Sequence, residues 1–575
     1  MIQRRCRPEG HALSWPQGAN GRNGARPSKA FLTILLFAIT AHAGTVQIAV
    51  APRAGTDDPL LLDSLRYPYS VTRLSYLLSH FALQSETGWT ELPDQYAWLD
   101  AATRRNTFTL HDVPAGNFHA LRFIVGVTAT NDPTTYPPDH PLNPNLNGLH
   151  WNWQGGYIFC AVEGRTQAGD GYSFHIARQP VSITVTGHFT TAALLTFDIP
   201  TLLTNVTLTG STHSRDGDSV AETLRKNLAR SFQLRETVTS EMPALKPVKP
   251  LYLPAKYTPY RFTIPARFPI PALPRDNPLL EERVALGRQL FHEPLLSRNN
   301  SISCATCHDE KHAFADPRRY SLGVDGQPGK FNALPLQNLA WKSRFFWDGR
   351  APSLREQVKF PITDHLEMDE NLDDVCAKLV GAASPPLTQI QPLADYPALF
   401  AAAFDTAEIT QEKIALALEN FMLTLTSFRS KVDRSELTPL EQRGFELFFT
   451  EYDPRTRQYG ADCFHCHGGA TFSDNQIHDN GVGKFMTPSL RNVAKTAPYM
   501  HDGRFVTLAE VVEHYTTRMP RTATLDPNLA KHPDGGVPLS TDDKKALVAF
   551  LEALTDLTDA KREAGKTARE DSSIR

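Results

Sequence analysis

Two short stretches of the 575-residue chain hold residue types at a spacing with a defined chemistry. In "CATCH", Cys304 and Cys307 flank two residues and His308 follows directly; in "CFHCH", Cys463, Cys466 and His467 repeat the arrangement. The spacing suits attachment of a c-type haem: each thiol adds to one vinyl group of a single macrocycle, and the adjacent histidine becomes the proximal iron ligand. A zinc site would need four ligands converging in one compact module, and the two stretches lie far apart. Two covalent haems are expected. A third stretch, "LHWNWQGGY" (149–157), concentrates His150, Trp151, Trp153 and Tyr157 behind "HPLNPNLNG" (140–148), a run rich in Pro, Asn and Gly that reads as loop. Two tryptophans one residue apart are hard to bury on opposite faces of a loop, so they call for another explanation.

The elements around these stretches divide the chain. From 45 to about 210 the pattern is β: "TVQIAV" (45–50) and "VSITVTGHF" (181–189) alternate apolar and polar residues, and "PAGN" (114–117) and "AGDG" (168–171) are turns. An antiparallel β-sandwich or barrel is expected over 44–238, with a helix at 216–234. Ten prolines in 243–278 argue against helix or central strand, so 239–278 reads as a semi-rigid linker that either tethers two domains or holds them in fixed contact. Beyond it the periodicity is helical, in "LLEERVALGRQLF" (279–291), "EKIALALENFMLTLTSF" (412–428) and "STDDKKALVAFLEAL" (540–554). This C-terminal part is expected to be a mainly α dihaem cytochrome c of two cytochrome c-like lobes, 279–440 and 441–560, followed by a polar tail at 561–575.

The first 43 residues read as an export signal: Arg22, Arg26 and Lys29 precede the apolar run "FLTILLFAIT" (31–40) and Ala41-His42-Ala43. The run is too short to span a bilayer, so a periplasmic protein without a stable membrane span is expected. A net charge of −3 with no long basic run gives no sign of nucleic-acid binding. Of the seven cysteines, Cys6 leaves with the signal and four belong to the haem motifs; Cys160 and Cys376, in different domains, read as buried free thiols.

Residues 276–556 resemble the bacterial dihaem cytochrome c peroxidase and MauG family, through "GRQLFHEPLLSRNNSISCATCH", "FFWDGRAPSLREQ", Glu367-Met368 and "TPSLRNVAKTAPYMHDG". The resemblance implies roles residue by residue. Trp347 matches the tryptophan between the haems, Gln357 and Glu367 the pair that handles peroxide protons, and Pro361 a proline over the same haem face. Asn332, Thr496 and Pro498 match ligands of a calcium ion, for which oxygen donors are suited. Two departures place the chain nearer MauG than the simple peroxidases. No histidine occurs in 313–346 to cap the first haem, and Tyr515 stands where the peroxidases have a distal methionine, with Met519 as competitor. A phenolate is a harder, more anionic ligand than a thioether and stabilises high-valent iron. His501 reads as support for that haem pocket.

Residues 45–235 resemble the MbnP family, through "SVTRLSYLLSHFALQ", "HPLNPNLNGLHWNWQGGYIFCAVEG", "YSFHI" and "STHSRDGDSVAETLRKNLARSF". The resemblance implies an exported β domain that binds copper through histidines and a tryptophan-derived kynurenine, the tryptophan being oxidised by a MauG-type partner. Trp151 and Trp153 match the family's Trp-x-Trp, and His150, His175 and His213 are the copper candidates, ahead of His80, His119 and His188. The expected activity is peroxide-driven oxidation of Trp151 or Trp153 to kynurenine, in this chain or a neighbouring one. The alternative is a plain peroxidase that takes electrons from a small electron-transfer protein recruited by the β domain; a non-enzymatic copper-carrying or electron-transfer module is a third reading.

Overall fold

The computed structural model describes residues 44–556 except 56–59, 63, 65–67, 129–132, 152–155, 209–211, 214–217, 236–250, 266–267, 382–393 and 454–456. The expected signal segment, Trp153, the side chain of His213 and the polar tail lie outside the described residues.

Where an N-terminal strand is covered on one face only, alternation sends every second side chain inward. In β1 (Gly44–Arg53), Val46, Ile48 and Val50 are buried, with polar or smaller residues between them. The other strands are β2 (Tyr69–Ser85), β3 (Gly88–Asp100), β4 (Thr107–Val113), β5 (Phe118–Val125), β6 (His150–Trp151), β7 (Gly156–Thr166), β8 (Gly171–Ala177), β9 (Val181–Phe189), β10 (Ala192–Asp198), β11 (Thr212–His213) and β12 (Phe232–Arg235). They form a four-stranded sheet, β12-β10-β1-β4, and an eight-stranded sheet, β11-β8-β7-β2-β5-β9, with β3 on β2 and β6 on β7. A common apolar core holds inward residues of both sheets, Ile48, Leu195 and Phe197 with Leu74, Tyr76 and Phe123, as in a sandwich. Most pairs are antiparallel as expected; β1–β10 and β11–β8 are parallel.

The helix expected over 216–234 is shorter. α1 (Ser219–Leu228) starts where the Asp218 carboxylate accepts from the Ala221 N–H, and it buries Leu224 and Leu228. The chain then turns into edge strand β12, whose Phe232 stacks on Phe197 at 4.3 Å between ring centres. Packing of that ring overrides the local helical pattern.

The helices of the C-terminal part that position its motifs are α2 (Glu281–His292), α3 (Gln411–Leu423), α4 (Pro439–Phe448), α5 (Leu508–Thr517) and α6 (Thr541–Ala553). The first lobe packs α2 on α3 through Leu286, Leu290, Phe291, Leu418 and Phe421, all buried. The second packs α4 on α6 through Leu447, Phe448, Leu547 and Phe550. Ser540 caps α6 by accepting from the Asp543 N–H, as its sequence suggests. Among the described residues, no helix is long and apolar enough to cross a membrane.

The proline-rich stretch does more than tether. Its described part lies against both domains: the Pro269 carbonyl accepts from the Trp341 indole N–H at 2.7 Å, and the Ile270 carbonyl from Asn143 Nδ2 at 2.9 Å. Phe268 is buried in the first lobe's core. Of the two readings of this segment, fixed contact is the one observed.

The β domain meets the second lobe along β7 and β8, where Arg165 donates to the Ala523 carbonyl. Gly171 sits so close to the short helix Pro527–Ala530 that a Cβ would lie 2.1 Å from the Pro527 oxygen. Gly171→Ala is expected to force this seam open at a cost of about 1–3 kcal/mol, the usual range for overpacking. The checks are a lower melting temperature and faster amide hydrogen exchange at 523–531.

Candidate functional site

The first motif opens onto a cavity of about 500 Å³ lined by Cys304, Cys307, His308, Trp347, Gln357, Pro361 and Glu367, among others. The His308 Nδ1–H donates to the Phe314 carbonyl at 2.8 Å, which fixes the ring and leaves Nε2 as the nitrogen with a lone pair. Burial lowers the pKa of this histidine, favouring the neutral form that a metal needs. Among the described residues of the wall there is no second histidine and no tyrosine. Glu367 opens onto the cavity yet is ringed by protein; that enclosure, with Asp364 nearby, pushes its carboxyl up to about 7. A carboxyl poised near neutrality, facing the same cavity as the Gln357 amide, can exchange protons with a small ligand.

The second motif opens onto a cavity of about 220 Å³ that holds Cys463, Cys466, His467 and Tyr515. The His467 Nδ1–H donates to the Phe472 carbonyl at 3.1 Å, repeating the first arrangement. The thiols of both motifs are unpaired. Each cavity thus offers two thiols and one oriented imidazole, the donor set of a covalent haem. Tyr515, on α5, accepts at its hydroxyl from Asn480 Nδ2 at 3.2 Å, and burial pushes its phenol up to about 12. Met519, its competitor, packs with Leu525 and Ala530 and is absent from this wall among the described residues. Met500, on the wall, shares the Asn480 amide with Tyr515, a contact that the sequence did not suggest. Asn332, Thr496 and Pro498, the calcium candidates, line the same cavity.

Trp347 is the aromatic side chain common to both cavities. Its indole N–H donates to the Asn332 carbonyl at 2.8 Å, and its ring lies against Phe485, which stacks on His501 at 3.9 Å.

Trp151 lies at the seam between domains. It packs against the second lobe's core and also against the β-domain cluster of Leu149, Tyr157 and Ile158. A third, small cavity is lined by His150, Trp151 and His175 on one side and by Phe464, His465 and Asp474 on the other. The rings run in series: Phe464 stacks on His465 at 4.3 Å, His465 meets His175 at 5.5 Å, and His175 meets Trp151 at 6.0 Å. His465, the inner residue of "CFHCH", is the one described residue shared by this cavity and that of the second motif.

Of the copper candidates, His150 and His175 therefore share a cavity, while β11 sets His213 beside β8 in register with Ser173. Among the described residues, groups of three nearby metal-ligating side chains are Cys466–His478–Asp526 and Glu451–Asp462–His465, and neither includes a copper candidate. The second carries Lys531 within 3.3 Å of all three members, so it is a charge-balanced cluster of the protein's own ions. Burial and Lys531 pull His465 down, but Glu451 and Asp462 hold it up to about 9. His478 is clamped between Asp474 (2.8 Å) and Asp526 (2.6 Å); against burial, the neighbouring Cys466 and these two carboxylates raise its pKa well above the usual histidine value. None of these partners was singled out from the sequence. The histidine inside "CFHCH" and the glutamate inside the apolar run "GYIFCAVEG" were the signals available.

Two cavities with paired thiols and an oriented imidazole, separated by one tryptophan, define a dihaem c-type cytochrome fold joined to a β-sandwich. Comparison with known proteins narrows this. The profile of the di-haem cytochrome c peroxidase family matches residues 281–438, and that of MbnP matches 43–221. The methylamine utilization protein MauG of Methylorubrum extorquens is 34% identical over 308 residues, 49% of this chain and 80% of that protein. The cytochrome c551 peroxidase of Nitrosomonas europaea is 31% identical over 274 residues, 43% of this chain and 75% of that protein. The crystal structure of a MauG-like protein associated with microbial copper homeostasis is 29% identical, covering 52% of this chain and 96% of that one, with a TM-score of 0.45. The chain belongs to the dihaem cytochrome c peroxidase and MauG family of oxidoreductases, and it carries an MbnP domain on the same polypeptide.

Proposed function

We propose that the protein is an exported oxidoreductase that uses hydrogen peroxide to convert its own Trp151 to kynurenine, within an MbnP domain that then holds copper. One observation carries this reading: Trp151 packs against the second lobe's core, and His175 stands between its ring and His465 of the second CxxCH turn. Reaction in cis needs no second molecule to dock.

Two c-type haems would be held by Cys304, Cys307 and His308 and by Cys463, Cys466 and His467, with Tyr515 as a further oxygen donor in the second cavity, and would supply the redox chemistry. In the first cavity Glu367 accepts a proton from peroxide, Gln357 orients the oxygen by hydrogen bonding, and Pro361 shapes the wall. Trp347 fills the partition between the two cavities. Asn332, Thr496 and Pro498, on the wall of the second cavity, would supply oxygen donors to a calcium ion. In the β domain Trp151 gives up its electrons and its ring carbon. Overall, one tryptophan residue and two peroxides give one kynurenine residue, one formic acid and one water. The carbonyl and aniline nitrogen so created join His150, His175 and His213 as copper donors.

Peptide mass spectrometry of the holoprotein before and after peroxide tests the reading. The peptide spanning 149–157 should lose one carbon and gain one oxygen, Trp151→Phe should abolish the change, and Trp153→Phe should leave it. An unchanged wild-type peptide overturns the proposal. Steady consumption of peroxide with reduced cytochrome c and no mass change would establish the peroxidase alternative, which the relatives named as peroxidases support.

The carboxyl of Glu367 also dictates a pH dependence. Because its pKa is raised to about 7, the group holds its proton below that pH and can accept one from peroxide only above it. Peroxide consumption should therefore climb as the pH rises through about 7. Glu367→Gln should flatten the profile and lower the rate by about 100-fold, the low end of what general acid–base groups contribute; stopped-flow measurements across pH check both.

A further inference from the structure

The side chain that orients this arrangement is neither a haem ligand nor a copper candidate. Glu163 lies on β7, buried at the seam. Its Oε1 accepts from Arg73 of β2 at 3.0 Å and from His175 Nε2 of β8 at 2.9 Å. Its Oε2 accepts from Asn528 Nδ2 at 3.1 Å, and Asn528 belongs to the second lobe, where it lines the cavity of the second motif. One oxygen thus holds the β domain's own residues, and the other holds the haem-bearing lobe. His175, oriented by the first oxygen, is the ring that stands between Trp151 and His465.

We infer that Glu163 is the positioning residue of the Trp151 reaction, a single buried carboxylate that seats His175 and Trp151 against the CFHCH turn by binding both domains at once. The inference rests on the proposed oxidation for its chemical consequence, but the seat itself is a property of the resting protein. Glutamine is the discriminating substitution. It keeps the size of the side chain and its hydrogen-bonding reach but removes the negative charge, so the Arg73 guanidinium loses the carboxylate that it pairs with at 3.0 Å and His175 loses a charged acceptor.

The experiment uses the full-length dihaem protein and two readouts. In the resting state, amide hydrogen exchange in Glu163→Gln should rise at least tenfold at 149–157 and at 523–531 and stay unchanged in β9 (Val181–Phe189), which lies away from the seam. After peroxide, formation of kynurenine at Trp151 should slow at least tenfold, while peroxide consumption with an external reductant stays within twofold of wild type. Glu163→Asp, which keeps both acceptors on a shorter stem, should recover part of the loss. A variant with wild-type exchange at both segments, or a uniform rise that includes β9, overturns the positioning role; so does an equal loss of Trp151 oxidation and external peroxidase activity. Failure of the wild type to modify Trp151 would count against the proposed function alone, since the exchange result decides the seat independently.

Discussion

A carboxylate taken out of water has to be met by donors on every side, and at Glu163 the donors come from both halves of the chain. Burial opposes its charge, yet Arg73 and His175 hold it well below the usual carboxylate range. Such an arrangement is intolerant of partial loss: taking away one member of a buried ion pair typically costs about 3–5 kcal/mol, because the other is left charged and unpaired. The geometry around it is therefore narrow. Arg73 also faces Asp474, Asp474 and Asp526 clamp His478, and Asp526 starts the turn that carries Asn528 back to Glu163. Polar groups close a circuit across the seam, and apolar Trp151 is set beside it.

The three cavities share walls in sequence. Trp347 stands between the two that carry the haem motifs, and His465 between the second motif and Trp151. Each shared wall includes an aromatic or imidazole ring held by a polar contact: the Trp347 N–H by the Asn332 carbonyl, and His465 Nε2 by Glu451 and Asp462. Rings held this way have little freedom to leave their cavities. A densely packed interior transmits position from one such partition to the next.

How much of this could be read from the residues follows from how local each feature is. A C-x-x-C-H stretch is complete within five residues, so both haem sites stood in the sequence. The helical periods of α2, α3 and α6 and the alternation of β1 and β9 are equally local. The parallel pairing of β1 with β10 is not, because alternation names a strand's buried face and says nothing of its neighbour. The short strand β12 was hidden because Phe232 continues the four-residue spacing of Val220, Leu224 and Leu228; the choice was made by Phe197, far away in sequence. The proline-rich segment was readable as extended but not as packed: prolines lack donors, yet their carbonyls still accept, and Pro269 is used in that way. Glu163, His465 and Asn528 meet only in three dimensions. A glutamate in an apolar strand was visible, but not the asparagine, more than three hundred residues on, that answers it.

Trp151 is a structural member of both the β-domain cluster and the second lobe's core. A residue that forms part of a wall cannot diffuse away and be replaced by a fresh one. Whatever chemistry reaches Trp151 happens once in the life of each chain, so the protein's rate constant there would describe maturation, not turnover. Its yield would be bounded by the number of polypeptides made, and a population of these molecules would record, residue by residue, how much oxidant it had met.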